Sequence, residues 1–409
     1  MILSPDQERA LSAVSSWMQK PDSPIFRLFG YAGTGKSTIA RHIRDGVEGR
    51  VCAAAYTGKA ALVMQRNGFP DACTIHSLIY RGGDRSRVRL LELERLLLHA
   101  TQPELALTTE VAELAKKHGN LSTNDLRLEI AKEKDNVKQP AFTLNEESAV
   151  KDAKLVVIDE CSMVDARIAQ DLLSFNVKLL VMGDPAQLPP VKGTGYFIDG
   201  HPDAMLTQIH RQAADNPIIR MATMIREGRE LPLGDYGESQ VILKASCTKE
   251  IAMAADQILV GRNITRFKMN KRLRELHGFE LALPQEGDKL VCLRNDSENG
   301  LLNGGLWRTQ ASFDEGDGRV ALSLTSEDDG RSAAVEAHAA HFLGEGDSID
   351  WYERKEAQEF DYGYALTVHK AQGSQWPCVV LFDEWSFNSR KEWLYTAVTR
   401  AQERVIIAR

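Results

Sequence analysis

No stretch of about 18 apolar residues runs anywhere along the 409-residue chain, so the sequence offers no candidate for a bilayer-crossing helix. Its opening, MILSPDQERALS, has no basic segment followed by an apolar core; no secretory signal is legible, and the cytoplasm is the expected compartment. The six cysteines, Cys52, Cys73, Cys161, Cys247, Cys292 and Cys378, are far apart and show neither CxxC nor Cys/His ligand spacing. They read as reduced, structural thiols and imply no metal cage. Nor is there an excess of positive charge. A formal net charge of −7 argues against coating duplex DNA by bulk electrostatics, although a local basic channel remains compatible with it. What is present is ordinary for a globular protein: 43% hydrophobic and 26% charged residues. The length suggests two to four units, each with its own core.

The strongest signal is FRLFGYAGTGKSTIARHI, in which Gly30, Gly35, Lys36 and Ser37 follow an apolar strand candidate, Ile25 to Phe29, and precede a helical pattern. Glycines let backbone N–H groups close around phosphates, Lys36 can reach the β- and γ-phosphates of ATP, and Ser37 offers its hydroxyl to Mg²⁺. In AKLVVIDECSMVD the apolar run Leu155 to Ile158 fits a strand buried on both faces, and it ends on two carboxylates. Asp159 is the candidate for the Mg²⁺ shell. Glu160 can polarise an attacking water, which favours hydrolysis over phosphoryl transfer to another substrate.

RVCAAAYTGKAA and VKLLVMGDPAQLPPV repeat the pattern of a strand with a polar end, and all four units fit one parallel sheet that delivers Thr57, Lys59, Asp184 and Gln187 to its edge. Gln187 could sense a γ-phosphate, and Thr57 with Lys59 could hold a polyanion. Taken alone, either turn fits an ordinary loop as well. The same holds for YALTVHKAQGSQ near the C-terminus, a polar turn ahead of the apolar run CVVLF.

Together these stretches resemble the superfamily 1B helicases of the RecD and Dda type. LSPDQERAL resembles their adenine-reading glutamine motif with Gln7, GYAGTGKST motif I, AYTGKAA motif Ia, and TIHSL, with Thr74 and His76, the next DNA-contacting motif. VIDECSMVD is similar to motif II, GDPAQLPPV to motif III, QIHRQ to motif IV, YALTVHKAQGSQ to motif V and YTAVTRA to motif VI. Tyr31 and Tyr56 depart from the pattern, standing where the family tolerates small or prolyl residues.

The resemblance implies ATP and Mg²⁺ as cofactors, with nucleotide bound by Gln7, Gly30, Ala32, Gly33, Thr34, Gly35, Lys36, Ser37, Thr38, Gln372 and Gly373, and the metal by Ser37 and Asp159. It implies catalysis by Lys36, Glu160 and Gln187, with Arg211 and Arg400 reaching the γ-phosphate from a second lobe. Single-stranded DNA would be held by Thr57, Lys59, Thr74, His76, Asn303, Thr367, His369 and Lys370. The implied activity is ATP-dependent 5′-to-3′ translocation and duplex unwinding. The alternatives are a nucleic-acid-stimulated ATPase that remodels complexes without unwinding, and a motor subunit of a recombination nuclease. For intrinsic nuclease activity the sequence offers only the ExK spacing of Glu353 and Lys355, without an upstream acidic partner.

The expected fold is α/β: two RecA-like P-loop motor lobes with parallel sheets, each interrupted by an insertion. Lobe 1A is expected at 1–78 and 145–200, and lobe 2A at 201–280 and 356–409. No accessory domain is expected at either end. The insertion at 79–144 shows hairpin arms and leucine-spaced helices, with RVRLLELERLLLHA, LTTEVAELAKKHG and STNDLRLEIAKEK as candidates. The family uses such a hairpin as a wedge at duplex junctions; the helical part could dock replication or recombination proteins, but leucines at this spacing more simply build a local core. Short strands at 281–355, with turns at Asn299-Gly300, Gly304-Gly305 and Asp329-Gly330, fit the family's SH3-like barrel. The acidic clusters Asp314 to Asp317 and Glu327 to Asp329 read as solvated turns. A monomeric motor without membrane partners completes the expectation.

Overall fold

A computed structural model describes residues 3–81, 84–101, 114, 118, 121–138, 143–189, 195–208, 215–296, 299–349, 353–384 and 389–409. The chain divides into two compact units, residues 1–78 with 149–409, and residues 79–148.

In the larger unit, six strands pair in parallel in the spatial order Cys73–Thr74, Val51–Ala55, Leu155–Asp159, Lys178–Gly183, Ile25–Gly30 and Ala204–Leu206. Leu155 to Ile158 are fully buried, as a strand covered on both faces requires. Because every strand points the same way, Gly30, Asp159 and Gly183 all end at one sheet edge, and the turns that follow carry the polar residues. Ala204–Leu206 lies past the limit of 200 expected for this lobe. Its backbone pairs with Leu28 to Gly30, which the proline and charged residues just before it conceal in the sequence.

A second six-stranded sheet follows the order Ala365–Thr367, Gln257–Val260, Trp376–Phe382, Ala401–Ala408, Ser239–Ile242 and Gly234–Tyr236, parallel except for the hairpin of the last two. The HKAQG stretch is the turn between Ala365–Thr367 and Trp376–Phe382.

A third sheet is antiparallel, in the order Ser332–His338, Arg319–Ser326, Leu306–Asp314, Lys289–Cys292 and Phe360–Tyr362. A parallel bridge between Ala337 and Gln358 ties its two outer strands together. Phe360–Tyr362 lies beyond the expected limit of 355 because it pairs with Leu290 to Cys292. Gly300, Gly304 and Gly330 take positive φ at the expected turns. Glu327 to Asp329 form the expected turn, with Glu327 and Asp329 exposed, but Asp328 is half-buried and paired with Lys59, and Glu327 pairs with Lys289 and Arg308.

In the unit of residues 79–148, Tyr80–Arg81 pairs with Thr143–Leu144, and helices Asp84–Thr101 and Thr123–Lys138 bury Leu90, Leu93, Leu96, Leu126 and Ile130 in a local core. The candidate LTTEVAELAKKHG falls almost wholly outside the described residues. All six cysteines are free thiols. Among the described residues no helix is long and apolar enough to cross a membrane.

Candidate nucleotide cleft and nucleic-acid interface

The turn after Ile25–Gly30 reverses direction through Gly33 and Gly35, at φ 76° and 83°, so that the helix Lys36–Gly46 starts with its N–H groups turned to the loop. Lys36 Nζ donates to the carbonyl oxygens of Gly30 (2.6 Å) and Tyr31 (3.2 Å). Thr34 Oγ1 donates to the Tyr31 carbonyl at 2.8 Å. The loop lines a cavity of about 510 Å³ together with Asp159, Glu160, Asp184 and Gln187 from the first lobe and Gly373, Thr399 and Arg400 from the second.

Burial pushes the carboxyl of Asp159 upward, against the N–H of Glu160 and the charge of Lys36. Glu160 is raised by the same cause, opposed first by the Arg400 guanidinium. Its backbone sits in the left-handed region, φ 50°, which costs a non-glycine residue roughly 1–2 kcal/mol and turns the acid out of the strand direction. Gln187 leaves its buried Oε1 without a hydrogen-bond partner. That orphaned acceptor, the glycine-shaped loop and the two carboxylates fit a nucleoside triphosphate with a divalent cation.

The second lobe reaches into this cleft. Arg400 is buried, and its nitrogens donate to the carbonyl oxygens of Thr396 (3.1 Å) and Ser374 (3.2 Å) and to Thr399 Oγ1 (3.3 Å). Tyr395 Oη donates to Asp184 Oδ2 (2.7 Å) and accepts from the N–H of Ala32 (3.0 Å). Burial, then Asp184, pushes this hydroxyl's pKa far upward, which keeps its proton in place. The Arg226 guanidinium lies 3.7 Å over the Tyr31 ring.

A second cavity, of about 390 Å³, is lined by Tyr56, Thr57, Lys59 and His76 from the first lobe, His369, Lys370 and Gln372 from the second, and Asn303. Six of the eight residues expected to hold DNA thus meet. Thr74 lies apart, where its Oγ1 accepts from the N–H of Ser77 at 3.1 Å. Thr367 Oγ1 accepts from the N–H of Lys370 at 3.3 Å. Burial lowers the pKa of Lys370 to about 8, with Arg266 adding to the effect and Asp361 opposing it. It also lowers His369 and His76. Lys59 is not a free cation: its Nζ lies 3.1 Å from Asp328 and 4.9 Å over the Trp376 ring.

Four of the expected nucleotide residues do not line the nucleotide cleft: Gly30 and Thr34 are bonded within the loop, and Gln7 and Gln372 sit elsewhere. Gln7 is fully buried below the loop, where its Oε1 accepts from the Ser4 N–H and its Nε2 donates to the Thr34 carbonyl. Gln372 lines the polar cavity and donates to the Leu188 carbonyl at 3.1 Å. Arg211 is outside the described residues. Sequence reasoning missed Tyr395 and Thr396, which belong to the motif that supplied Arg400. Their hydroxyls on the buried helix Arg390–Val398 were the available signal, since a buried hydroxyl requires a partner.

A phosphate loop and acidic strand end on one parallel sheet, faced by an arginine from a second lobe, define the architecture of a two-lobed P-loop nucleotide-binding protein. A family profile described as AAA domain matches residues 2–245, more than half of the chain, and the chain belongs to that family. A profile described as UvrD-like helicase C-terminal domain matches residues 362–408. The ATP-dependent RecD2 DNA helicase of Deinococcus radiodurans is 30% identical over 281 residues, which cover 62% of this chain and 36% of that protein. This chain therefore matches little more than a third of that relative's length. A Pif1 helicase solved in work on unwinding of forked dsDNA by two coordinating Pif1 helicases gives a TM-score of 0.56 at 18% identity, over 99% of this chain and 92% of that one. The Pif1 helicase from Bacteroides in complex with ADP-AlF3 and ssDNA gives 0.54 at 15% identity, over 100% and 92%. The fold is that of these Pif1 helicases.

Proposed function

We propose that this chain is an ATP-dependent DNA helicase that couples ATP hydrolysis to 5′-to-3′ movement on single-stranded DNA and to duplex unwinding. One observation carries the reading: a single lobe lends Arg400 to the cleft of Lys36 and Glu160, and His369 with Lys370 to the cavity of Thr57 and His76. Closing that lobe on nucleotide would alter both sites at once. The direction follows the family, as do the SH3-like character of the third sheet, the wedge role of residues 79–148 and the docking of replication or recombination proteins there. A single copy suffices as the motor.

In the cleft, the N–H groups of the loop and of the helix start at Lys36 bind phosphate, and Lys36 neutralises it. Ser37 and Asp159 would hold Mg²⁺, which would supply positive charge to the phosphates. Glu160 takes the proton of the attacking water at its carboxylate, whose proton affinity burial raises and the Arg400 guanidinium opposes. Gln187 Oε1 accepts from that water and orients it, and Arg400 meets charge developing on the transferred group.

The test is displacement of a labelled strand from partial duplexes with a 5′ or a 3′ tail, with ATPase measured with and without DNA. Unwinding from the 5′ tail and DNA-stimulated ATPase are expected. Preference for the 3′ tail would refute the polarity. Failure on both tails with intact stimulated ATPase would favour the non-unwinding translocase.

A further inference from the structure

Gln187 stands between two anchors, and the second lobe makes both. Three residues before it, Asp184 accepts from Tyr395 Oη at 2.7 Å, and the same hydroxyl accepts from the phosphate-loop N–H of Ala32 at 3.0 Å. One residue after it, Leu188 is held at both backbone groups. Its N–H donates to Thr396 Oγ1 at 2.8 Å, and its carbonyl accepts from Gln372 Nε2 at 3.1 Å. The Leu188 side chain is buried in the hydrophobic core of the second lobe, among residues that include Leu366, Val368, Ala371 and Trp376, although its own backbone follows a first-lobe strand. Tyr395, Thr396, Gln372 and Asp184 are all buried as well, so these bonds work at low dielectric, where geometry is held most firmly.

We propose that Tyr395, Thr396 and Gln372 form a clamp that sets Gln187 in the cleft, and that they are positioning residues through which the strand-holding turn commands hydrolysis. The inference rests on the motor reading and adds its linkage. Gln372 lies two residues after Lys370 and three after His369, which line the polar cavity. A strand that draws on His369 and Lys370 therefore pulls a turn whose following polar side chain, Gln372, grips Leu188. Tyr395 and Thr396 are adjacent on one buried helix, so they move with Gln372 as parts of one lobe while Asp184 and Leu188 belong to the other. Any change in lobe separation is read out at the residue between the two anchors. Gln187 is the residue suited to this, because it lines the cleft and its buried Oε1 has no hydrogen-bond partner among the described residues.

The clamp acts on orientation, so its loss should lower kcat and spare KM. Tyr395→Phe keeps the ring and removes the hydroxyl; Thr396→Val keeps the shape and removes the acceptor; Thr396→Ser restores it. Tyr395→Phe and Thr396→Val are expected to cut DNA-stimulated kcat by about 10²-fold, as a displaced catalytic group does, while Thr396→Ser recovers most of it. KM for ATP and affinity for a single-stranded oligonucleotide should stay near wild-type values. Combined with Gln187→Ala, each should be no worse than Gln187→Ala alone, because both act through that one side chain.

A double variant whose loss is the product of the single losses would overturn the clamp, and so would Thr396→Val with wild-type kcat. If Tyr395→Phe does not fold, the Thr396→Val and Thr396→Ser pair decides by itself. Absence of DNA-stimulated ATPase in the wild-type protein would instead defeat the motor reading, which keeps the two failures apart.

Discussion

The nucleotide cleft and the polar cavity are built by the same two lobes, yet they treat charge in opposite ways. In the cleft, Lys36 and Arg400 are bonded to carbonyl and hydroxyl oxygens, and among the described residues neither is in an ion pair. Their charge is kept for the ligand. In the polar cavity, Lys59 is paired with Asp328, Lys370 is brought by burial to a pKa of about 8, and His369 and His76 are pushed towards neutrality. On the motor reading, a site that holds and hydrolyses a polyphosphate benefits from cations outside ion pairs, and one that releases a strand at every step benefits from muted ones. On the same proposed reading the difference reconciles an acidic chain with a polyanionic track, since grip there would come from hydrogen bonds, aromatic surface and a few attenuated charges.

The largest effects should come from emptying the cleft of charge. Lys36→Ala is expected to abolish ATPase. Glu160→Gln should still bind nucleotide while losing turnover, because glutamine keeps the side chain's shape and cannot accept the water's proton. Equilibrium binding of a fluorescent ATP analogue, measured beside phosphate release, separates the two; near-normal turnover in either folded variant defeats the cleft assignment. Next comes Arg400→Ala, for which a loss of about 10³-fold in DNA-stimulated kcat matches what an arginine facing a transferred phosphoryl group contributes. Normal hydrolysis would show that the second lobe does not complete the site.

Much of the cleft was legible in the sequence because its chemistry is local. Gly30 to Thr38 and Leu155 to Glu160 each place strand, turn and functional group within about ten residues, where periodicity and glycine position speak directly. What escaped depends on residues distant in the chain. Tyr395 meets Ala32 across a separation of 363 residues, and no pattern in YTAVTRA shows that the tyrosine rather than a neighbour will do so. Gln7 reads as a nucleotide contact; that its amide also caps the first helix and bonds the Thr34 carbonyl of the loop is a long-range arrangement no local pattern shows. The acidic turn at 327–329 reads as solvated, and Glu327 and Asp329 are exposed; what the sequence hides is Asp328, whose partner Lys59 lies on another element. The sheet limits slipped at Ala204–Leu206 and Phe360–Tyr362, strands of three residues, too short to show alternation.

A test of intermediate size addresses the muted cations directly. With a pKa of about 8, Lys370 is charged below that pH and neutral above it, so single-strand affinity should fall as pH rises through 8. Loss of one charge-assisted hydrogen bond of about 1.5 kcal/mol corresponds to roughly tenfold. Lys370→Arg stays charged throughout and should flatten the profile between pH 7 and 9. An unchanged profile in that variant would place the titration elsewhere.

The smallest effect, and the sharpest probe of the comparison, is expected from Asp328→Asn. Lys59 Nζ is 3.1 Å from the Asp328 carboxylate, and the two side chains are 8% and 13% exposed, so the pair is shielded from solvent on both sides. Removing Lys59 would leave a poorly hydrated carboxylate and confuse binding with stability. Asparagine at 328 instead keeps an oxygen for the ammonium and deletes only the opposing charge, while the Trp376 face still supports the lysine. The cavity then gains one unit of positive charge towards a phosphate. Single-strand affinity should tighten by about threefold, within the range of 1 kcal/mol typical of a partly screened pair. The slope of log affinity against log salt should steepen by about 0.7, the value for one further phosphate contact on a single strand. Tighter binding should slow release, so translocation at saturating ATP should fall even as affinity rises. An unchanged salt slope with unchanged affinity would mean that Asp328 merely anchors the third sheet to the first lobe and that Lys59 never meets the strand.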